Sequence, residues 1–125
     1  DNRMNIFIIL AALNGFLAVA LGAFGAHGLE GKVSERLLEV WKTGVTYQMF
    51  HAGGLFVIAF LIDRWGNLAM LTSAGWIMFA GILIFSGSLY VMTLTGIKVL
   101  GAITPIGGVA FLVAWALIIV AAVKS

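Results

Sequence analysis

The charged residues of this chain are grouped so that four long stretches carry no charge. These stretches cover residues 4–29, 43–62, 65–97 and 99–123. A helix of about 20 residues crosses the roughly 30 Å hydrocarbon core of a bilayer, so each stretch can span it once. No stretch is long enough for two spans and a turn, which together need more than about 40 residues. The pattern therefore predicts an all-α integral membrane protein, a four-helix bundle with both chain ends on the same side.

The composition supports a membrane protein and excludes several soluble classes. Hydrophobic residues make up 62% of the 125 residues and charged residues 10%, whereas soluble domains have about 45–50% and about 25%. A net charge of +2 without a basic stripe is not that of a nucleic-acid-binding protein. The absence of Cys excludes disulfides and thiolate metal sites. The expected partners are the lipid bilayer, other membrane subunits or further copies of this chain, and no nucleic acid.

The turns between the stretches set the helix boundaries within one domain, residues 1–125. The predicted helices are 5–26, 44–62, 68–93 and 105–123. Between the first two, residues 33–42 form an amphipathic segment that either lies in the membrane interface or extends the second helix. Ser34 is its predicted N-cap. Thr104 is the predicted N-cap of the fourth helix, because Pro105 then occupies the first helical position.

The first helix also has features of a secretory signal peptide. Arg3 precedes an apolar run, and Ala18-Val19-Ala20 resembles a cleavage site. The run of about 19 apolar residues exceeds the usual length of the apolar region in a signal peptide. We therefore expect this helix to be retained as a transmembrane span.

Small residues form a seam along one face of the first helix. Its members follow one another in steps of four and three: Ala11, Gly15, Ala18, Gly22 and Gly25. Lipid provides no hydrophobic force between helices, so close approach along small residues must supply the packing. We expect the seam to face the bundle and a leucine at Gly22 to disturb it. Asn14 borders the seam near the membrane centre, where its amide needs a partner.

Polar side chains inside the predicted spans are concentrated in one half of the bundle. We name the side with both chain ends side A, and the side with the 28–42 connection side B. The cluster near side B comprises His27, Tyr47, Gln48, His51, Ser86, Ser88, Tyr90 and Thr104. Such groups form interhelical hydrogen bonds worth about 0.6 kcal/mol per pair, line a path for a solute or proton, or recognise a partner or a lipid headgroup. The residue types alone leave these three interpretations open.

His51 is the histidine placed deepest in the hydrocarbon region. Desolvation disfavours its charged form, so we expect a neutral imidazole with one donor and one acceptor to satisfy. Counting residues from the predicted helix ends places Ser86 and Tyr90 near the depth of His51. We therefore predict a hydrogen bond from His51 to Ser86 or Tyr90, directly or through one water.

We predict no cofactor, no metal site and no catalytic residue, and so no enzyme. His27 lies near the interface and His51 about 12 Å deeper, so the two cannot ligate one haem at a common level within the chain. Zinc needs three or four ligands, which His27, Glu30 and a distant His51 do not supply. Ser86 and Ser88 lack the positioned base and acid that nucleophilic catalysis needs.

Several strings of residues resemble one known family over nearly the whole chain. They are GAFGAHG at 22–28, WKTG at 41–44 with YQxxH at 47–51, FSGSLY at 85–90 and TPIGG at 104–108. The chain resembles the domain-of-unknown-function 423 family, also called the transmembrane protein 256-like family. The resemblance implies a small four-helix protein of the bacterial plasma membrane. It implies no activity, cofactor or catalytic residue.

The expected role is that of a non-enzymatic accessory or structural subunit of a membrane complex, because the loops are short and no extramembrane domain is present in the sequence. The alternative is a small transporter or channel with a polar vestibule around His51. Lys and Arg are divided too evenly between the two sides for the positive-inside rule to decide orientation. Since Arg3 precedes the first helix, which often sets topology, we expect side A to be cytoplasmic.

Overall fold

The chain forms four long helices in a computed structural model that describes residues 2–66 and 68–125. The helices are α1 (Asn2–Phe24), α2 (Glu35–Trp65), α3 (Ala69–Thr95) and α4 (Thr104–Lys124). A π-helical turn, Gly25–Leu29, continues α1, and a short 3-10 helix, Lys98–Ala102, joins α3 to α4. All four segments are long and apolar enough to cross a membrane. The predicted all-α, four-helix membrane architecture is confirmed.

Each helix packs antiparallel on the next one along the chain. The main interfaces join α1 to α2, α2 to α3 and α3 to α4, while α1 touches α3 only slightly. Among the described residues no comparable interface joins α1 to α4. The α2–α3 pair is therefore the centre of the bundle, with α1 and α4 on its flanks. The N-terminal end of α1 and the C-terminal end of α4 lie on the same side, as predicted.

The amphipathic segment 33–42 is not a separate interfacial helix, because α2 begins at Glu35 and runs through Gly44 without a break. Ser34 caps it as predicted: its hydroxyl accepts a hydrogen bond from the Leu37 N–H at 3.2 Å. Gly44 is instead a contact residue. A Cβ atom there would lie 2.8 Å from the Tyr90 ring, so this glycine admits α3 rather than ending a helix.

The prediction that Thr104 caps α4 is also wrong. Thr104 is itself helical, and Ile103 before it has α-type backbone angles (φ −83°, ψ −32°). A side-chain cap needs an extended residue at that point, and the preceding 3-10 helix removes it. Pro105 does lie in the first turn. The Thr104 hydroxyl oxygen lies 2.6 Å from that of Ser88 on α3.

The small-residue seam of α1 faces α2 most closely at its side B end. Ala11 and Ala18 are fully buried, and a Cβ at Gly25 would lie 2.6 Å from the indole of Trp41. At Gly22 the nearest atom would be a Val45 methyl at 3.4 Å, and at Gly15 nothing lies within 4 Å. The tightest contact therefore falls at Gly25, one turn beyond Gly22.

The 21-residue α4 defines a layer about 30 Å thick, which is the thickness of a hydrocarbon core, and depths are counted from its side B end. Because Ser88 contacts the first residue of α4, α3 extends about two turns beyond this layer on side B. The first turns of α2 accompany it: the Thr93 hydroxyl donates to the Leu37 carbonyl at 3.2 Å. We call this extension, residues 25–42 and 89–103, the side B cap.

Candidate functional site: interhelical hydrogen bonds and an aromatic groove

The predicted polar cluster divides into separate contacts, each of which ties one helix to another. Seven of its eight residues lie on α2, α3 or α4 in the side B half. The eighth, His27, is exposed on the π-helical turn. Neither the His27 side chain nor the Tyr47 hydroxyl takes part in these interhelical hydrogen bonds. The cluster is therefore a set of interhelical hydrogen bonds rather than one polar chamber.

The first contact is a chain of three side chains across α1, α2 and α3. The Gln48 amide donates to the Asn14 side-chain oxygen at 3.0 Å, and the Tyr90 hydroxyl donates to the Gln48 oxygen at 2.7 Å. The Asn14 amide donates to the Leu10 carbonyl at 2.8 Å. Gln48 is 5% exposed and Asn14 3%. The sequence indicated that Asn14 needs a partner but did not place it in the cluster.

The second contact joins His51 of α2 to α4. The Trp115 indole N–H donates to Nε2 of His51 at 3.1 Å, and Nδ1 lies 2.8 Å from the Tyr47 carbonyl. An indole N–H can only donate and a carbonyl can only accept. These partners assign the neutral tautomer with its proton on Nδ1, and both ring nitrogens are used. The ring also stacks on Phe111, with centroids 3.6 Å apart at an interplanar angle of 7°.

The predicted bond from His51 to Ser86 or Tyr90 is wrong because the depths were misjudged. The Ser86 hydroxyl donates to the Gly44 carbonyl at 2.7 Å, so Ser86 is level with Gly44. His51 lies seven residues further along α2, about 10 Å deeper. Residue counting placed the side B ends of α2 and α3 at the wrong relative heights, since α3 extends into the side B cap.

The third and fourth contacts fix α3 to its neighbours at the side B boundary. The Ser86 bond to α2 is fully buried, with Ser86 1% exposed. The Ser88 and Thr104 hydroxyl oxygens, 2.6 Å apart, join α3 to α4. Since each of the four contacts includes a hydrogen bond between helices, the polar residues hold the bundle in register.

Two tryptophans were missed as members of the site. Trp41 is 2% exposed, donates its indole N–H to the Leu21 carbonyl at 2.8 Å and contacts the Tyr90 ring. Trp115 lies about 15 Å from the side B end of α4, far from the interfacial belt where tryptophan is usual. A buried indole N–H needs an acceptor. That unusual depth is the signal that could have paired Trp115 with His51.

An apolar groove of about 710 Å³ lies beside His51, between α2 and α4. Its aromatic lining residues are Tyr47, Phe50, His51, Phe85, Phe111 and Trp115. The groove opens to the lipid-facing surface, where Phe50 is 65% and Leu112 71% exposed. The hydroxyl of Tyr47, a half-exposed side chain, has no hydrogen-bond partner within the described part of the chain. In place of a vestibule, His51 thus borders a groove open sideways to lipid.

Comparisons with known proteins agree with the resemblance in sequence. The family described as "Protein of unknown function (DUF423)" matches residues 21–108. The UPF0382 membrane protein YwdK of Bacillus subtilis is 62% identical over 121 residues, which cover 97% of this chain and 98% of that protein. UPF0382 membrane proteins of Staphylococcus aureus and Staphylococcus epidermidis are 52% and 51% identical over the same shares of both chains. No solved structure matches the chain significantly.

Proposed function

From the premise that the chain belongs to the DUF423 family and is a multi-pass membrane protein, we propose that it is a non-enzymatic accessory or structural subunit of a complex in the bacterial plasma membrane. Outside the layer that α4 spans, the described residues form the side B cap and short connections rather than a separate domain for independent chemistry. Its role is to bind laterally to other membrane components.

One observation carries this proposal: the buried polar side chains inside the bundle already have hydrogen-bond partners, either other side chains or backbone carbonyls. Among the residues described, Thr72 Oγ1 is the one buried side-chain polar atom without a partner. Groups that receive a solute or a proton need free donors and acceptors, and breaking interhelical bonds to free them has a cost. The bonds of Gln48, His51 and Ser86 therefore suit a rigid scaffold.

The alternative, a transporter or channel centred on His51, needs polar groups that continue toward side A. The side A half of the core is instead largely apolar: Phe7, Leu55, Leu71 and Met78 are each 0% exposed. Thr72 Oγ1 is the one unpartnered buried polar atom there among the described residues. A moving solute would have to displace this packing. The apolar half favours the subunit over the transporter.

Two measurements test the proposal on the intact protein. Native mass spectrometry after extraction from its own membrane in mild detergent should show a complex with a second polypeptide in fixed ratio. In liposomes, ion and proton flux should equal that of protein-free vesicles, for the wild type and for His51→Leu alike.

His51→Leu should fold and lose only about 1 kcal/mol of stability, because one interhelical bond is removed. Flux that His51→Leu abolishes would establish the transporter, and a chain that is always alone would refute the subunit role.

The proposed orientation places side A in the cytoplasm. The chain contains no Cys, so a single introduced cysteine reports one position. A membrane-impermeant thiol reagent applied to intact cells should label Lys32→Cys on side B. Arg64→Cys, an exposed position on side A, should react only after permeabilisation. The opposite labelling pattern would reverse the orientation.

A further inference from the structure

A second cavity, of about 350 Å³, lies in the side B cap between the first turns of α2, the end of α3 and the 3-10 helix. Two cationic side chains line it, Arg36 and Lys98. Neither pairs with a carboxylate of the described residues. The carboxylates on the same turns of α2 belong to Glu35 and Glu39; neither lines the cavity, and Glu39 lies 3.6 Å from Lys42. The cavity therefore presents uncompensated positive charge.

The basic cavity lies nearer side B than the aromatic groove, and on α2 and α3 one lining residue of each shares a helix face with one lining residue of the other. On α2, Val40 lines the cavity and Tyr47 lines the groove. On α3, Met92 lines the cavity and Phe85 lines the groove. Each pair is seven residues apart, which places its members within about 20° around the helix and about 10 Å apart along it. On both helices the residue that lines the cavity therefore lies about 10 Å closer to side B than the residue that lines the groove.

The depths of the two sites match the parts of an amphiphile. The basic cavity belongs to the side B cap, outside the layer that α4 spans. The groove begins at Pro105 and reaches Trp115, a depth of about 15 Å into the hydrocarbon. Tyr47 leans toward side B, because helical side chains tilt toward the N-terminus.

We propose that this face binds a phospholipid with an anionic headgroup, its phosphate between Arg36 and Lys98 and one acyl chain in the aromatic groove. Arg and Lys are the side chains that bind phosphate at membrane surfaces. The Tyr47 hydroxyl, on a side chain that lines the groove, is a donor from which an ester carbonyl of the lipid can accept a hydrogen bond. A zwitterionic lipid gains less, since it carries no net charge for the two cations. Lipid binding here is independent of whether the protein is a subunit or a transporter.

The charge requirement can be tested by native mass spectrometry of the intact chain in neutral detergent. Delipidated protein is titrated with phosphatidylglycerol and with phosphatidylcholine of identical acyl chains. Phosphatidylglycerol should bind more tightly. Arg36→Gln with Lys98→Gln should lower its affinity about 30-fold, since each cation contributes about fivefold, and should lower the affinity for phosphatidylcholine by a smaller factor. Lys32→Gln with Lys42→Gln removes the same charge from side B outside the cavity and should change neither lipid more than about twofold.

A second pair of variants tests the acyl chain. A side chain at Gly108 enters the groove with room, since the nearest atoms to its Cβ are 3.9 Å away on Phe85. Gly108→Leu should weaken both lipids about tenfold, the effect of losing two buried methylenes. Gly53→Leu, where nothing lies within 4 Å, should have no effect.

Three results would overturn the proposal. They are equal affinity for the two lipids, an equal loss of phosphatidylglycerol affinity in the two double variants that each remove two positive charges, and equal lipid affinities of Gly108→Leu and Gly53→Leu. Displacement of phosphatidylglycerol by millimolar glycerol phosphate would assign the cavity to a free phosphate compound instead. All variants should first show wild-type thermal stability, and a second variant, Gly108→Val, replaces Gly108→Leu if that protein does not fold.

Discussion

Replacing Gly107 with alanine is expected to force α3 and α4 apart and to lower the free energy of unfolding by about 1–3 kcal/mol. A Cβ at this position would lie 2.5 Å from the backbone nitrogen of Phe85 and 2.8 Å from its Cα. A backbone cannot move aside as a flexible side chain can, so the whole helix must shift. The measurement is the unfolding free energy in detergent, by thermal or SDS titration.

The adjacent glycine provides the control. At Gly108 the nearest atoms are 3.9 Å away, so Gly108→Ala should be neutral or slightly stabilising, because alanine is the better helix former. Both changes add one methyl group to the same turn of α4. Equal stabilities of the two variants would contradict the close α3–α4 contact at Gly107.

The second large effect is expected at Gln48, which joins three helices. Gln48→Leu leaves both the Asn14 oxygen and the Tyr90 hydroxyl without a partner. With about 0.6 kcal/mol per interhelical hydrogen bond on average and about 1.7 at most, the loss should be about 1–2 kcal/mol. The unfolding free energy in detergent measures it.

A double-mutant cycle with Tyr90→Phe separates the Gln48–Tyr90 bond from other effects. The double variant should lose less than the sum of the two single variants, because both remove the same bond. Thr95→Val is the control, since its hydroxyl donates to the Val91 carbonyl of its own helix and accepts from the nearby Ile97 N–H, and so joins no second helix. Strict additivity of Gln48→Leu and Tyr90→Phe would show that this bond contributes nothing to stability.

The number and the alternating direction of the helices follow from the sequence, because the hydrocarbon core of a bilayer admits only long stretches of uncharged residues. A span needs about 20 residues without charge, and this requirement involves no partner helix. The Ser34 cap is equally local, since its hydroxyl bonds to a backbone group three residues further on. Such features are predictable from the order of residues alone.

The structure decides one helix boundary that the sequence left open and corrects another, and in each case a neighbouring helix contacts the residue concerned. Glycine is typical of a helix end, yet Gly44 lies inside α2, because the Tyr90 ring occupies the space that a side chain would need there. Threonine before proline is typical of a helix N-cap, yet the Thr104 hydroxyl contacts the Ser88 hydroxyl of α3 instead of capping α4. Local propensity is worth at most about 1 kcal/mol per residue here, and tertiary packing overrides it.

The sequence by itself determined that polar groups lie inside the spans near side B, and that such groups need partners in hydrocarbon. Only the tertiary structure decided the partners: Trp115 for His51, Gly44 for Ser86, and Asn14 with Tyr90 for Gln48. The physical reason is register. The relative height of two helices depends on how far each extends beyond the hydrocarbon and on where close backbone contacts such as Gly107 with Phe85 lock them together. A shift of two turns, about 10 Å, exchanges one set of partners for another.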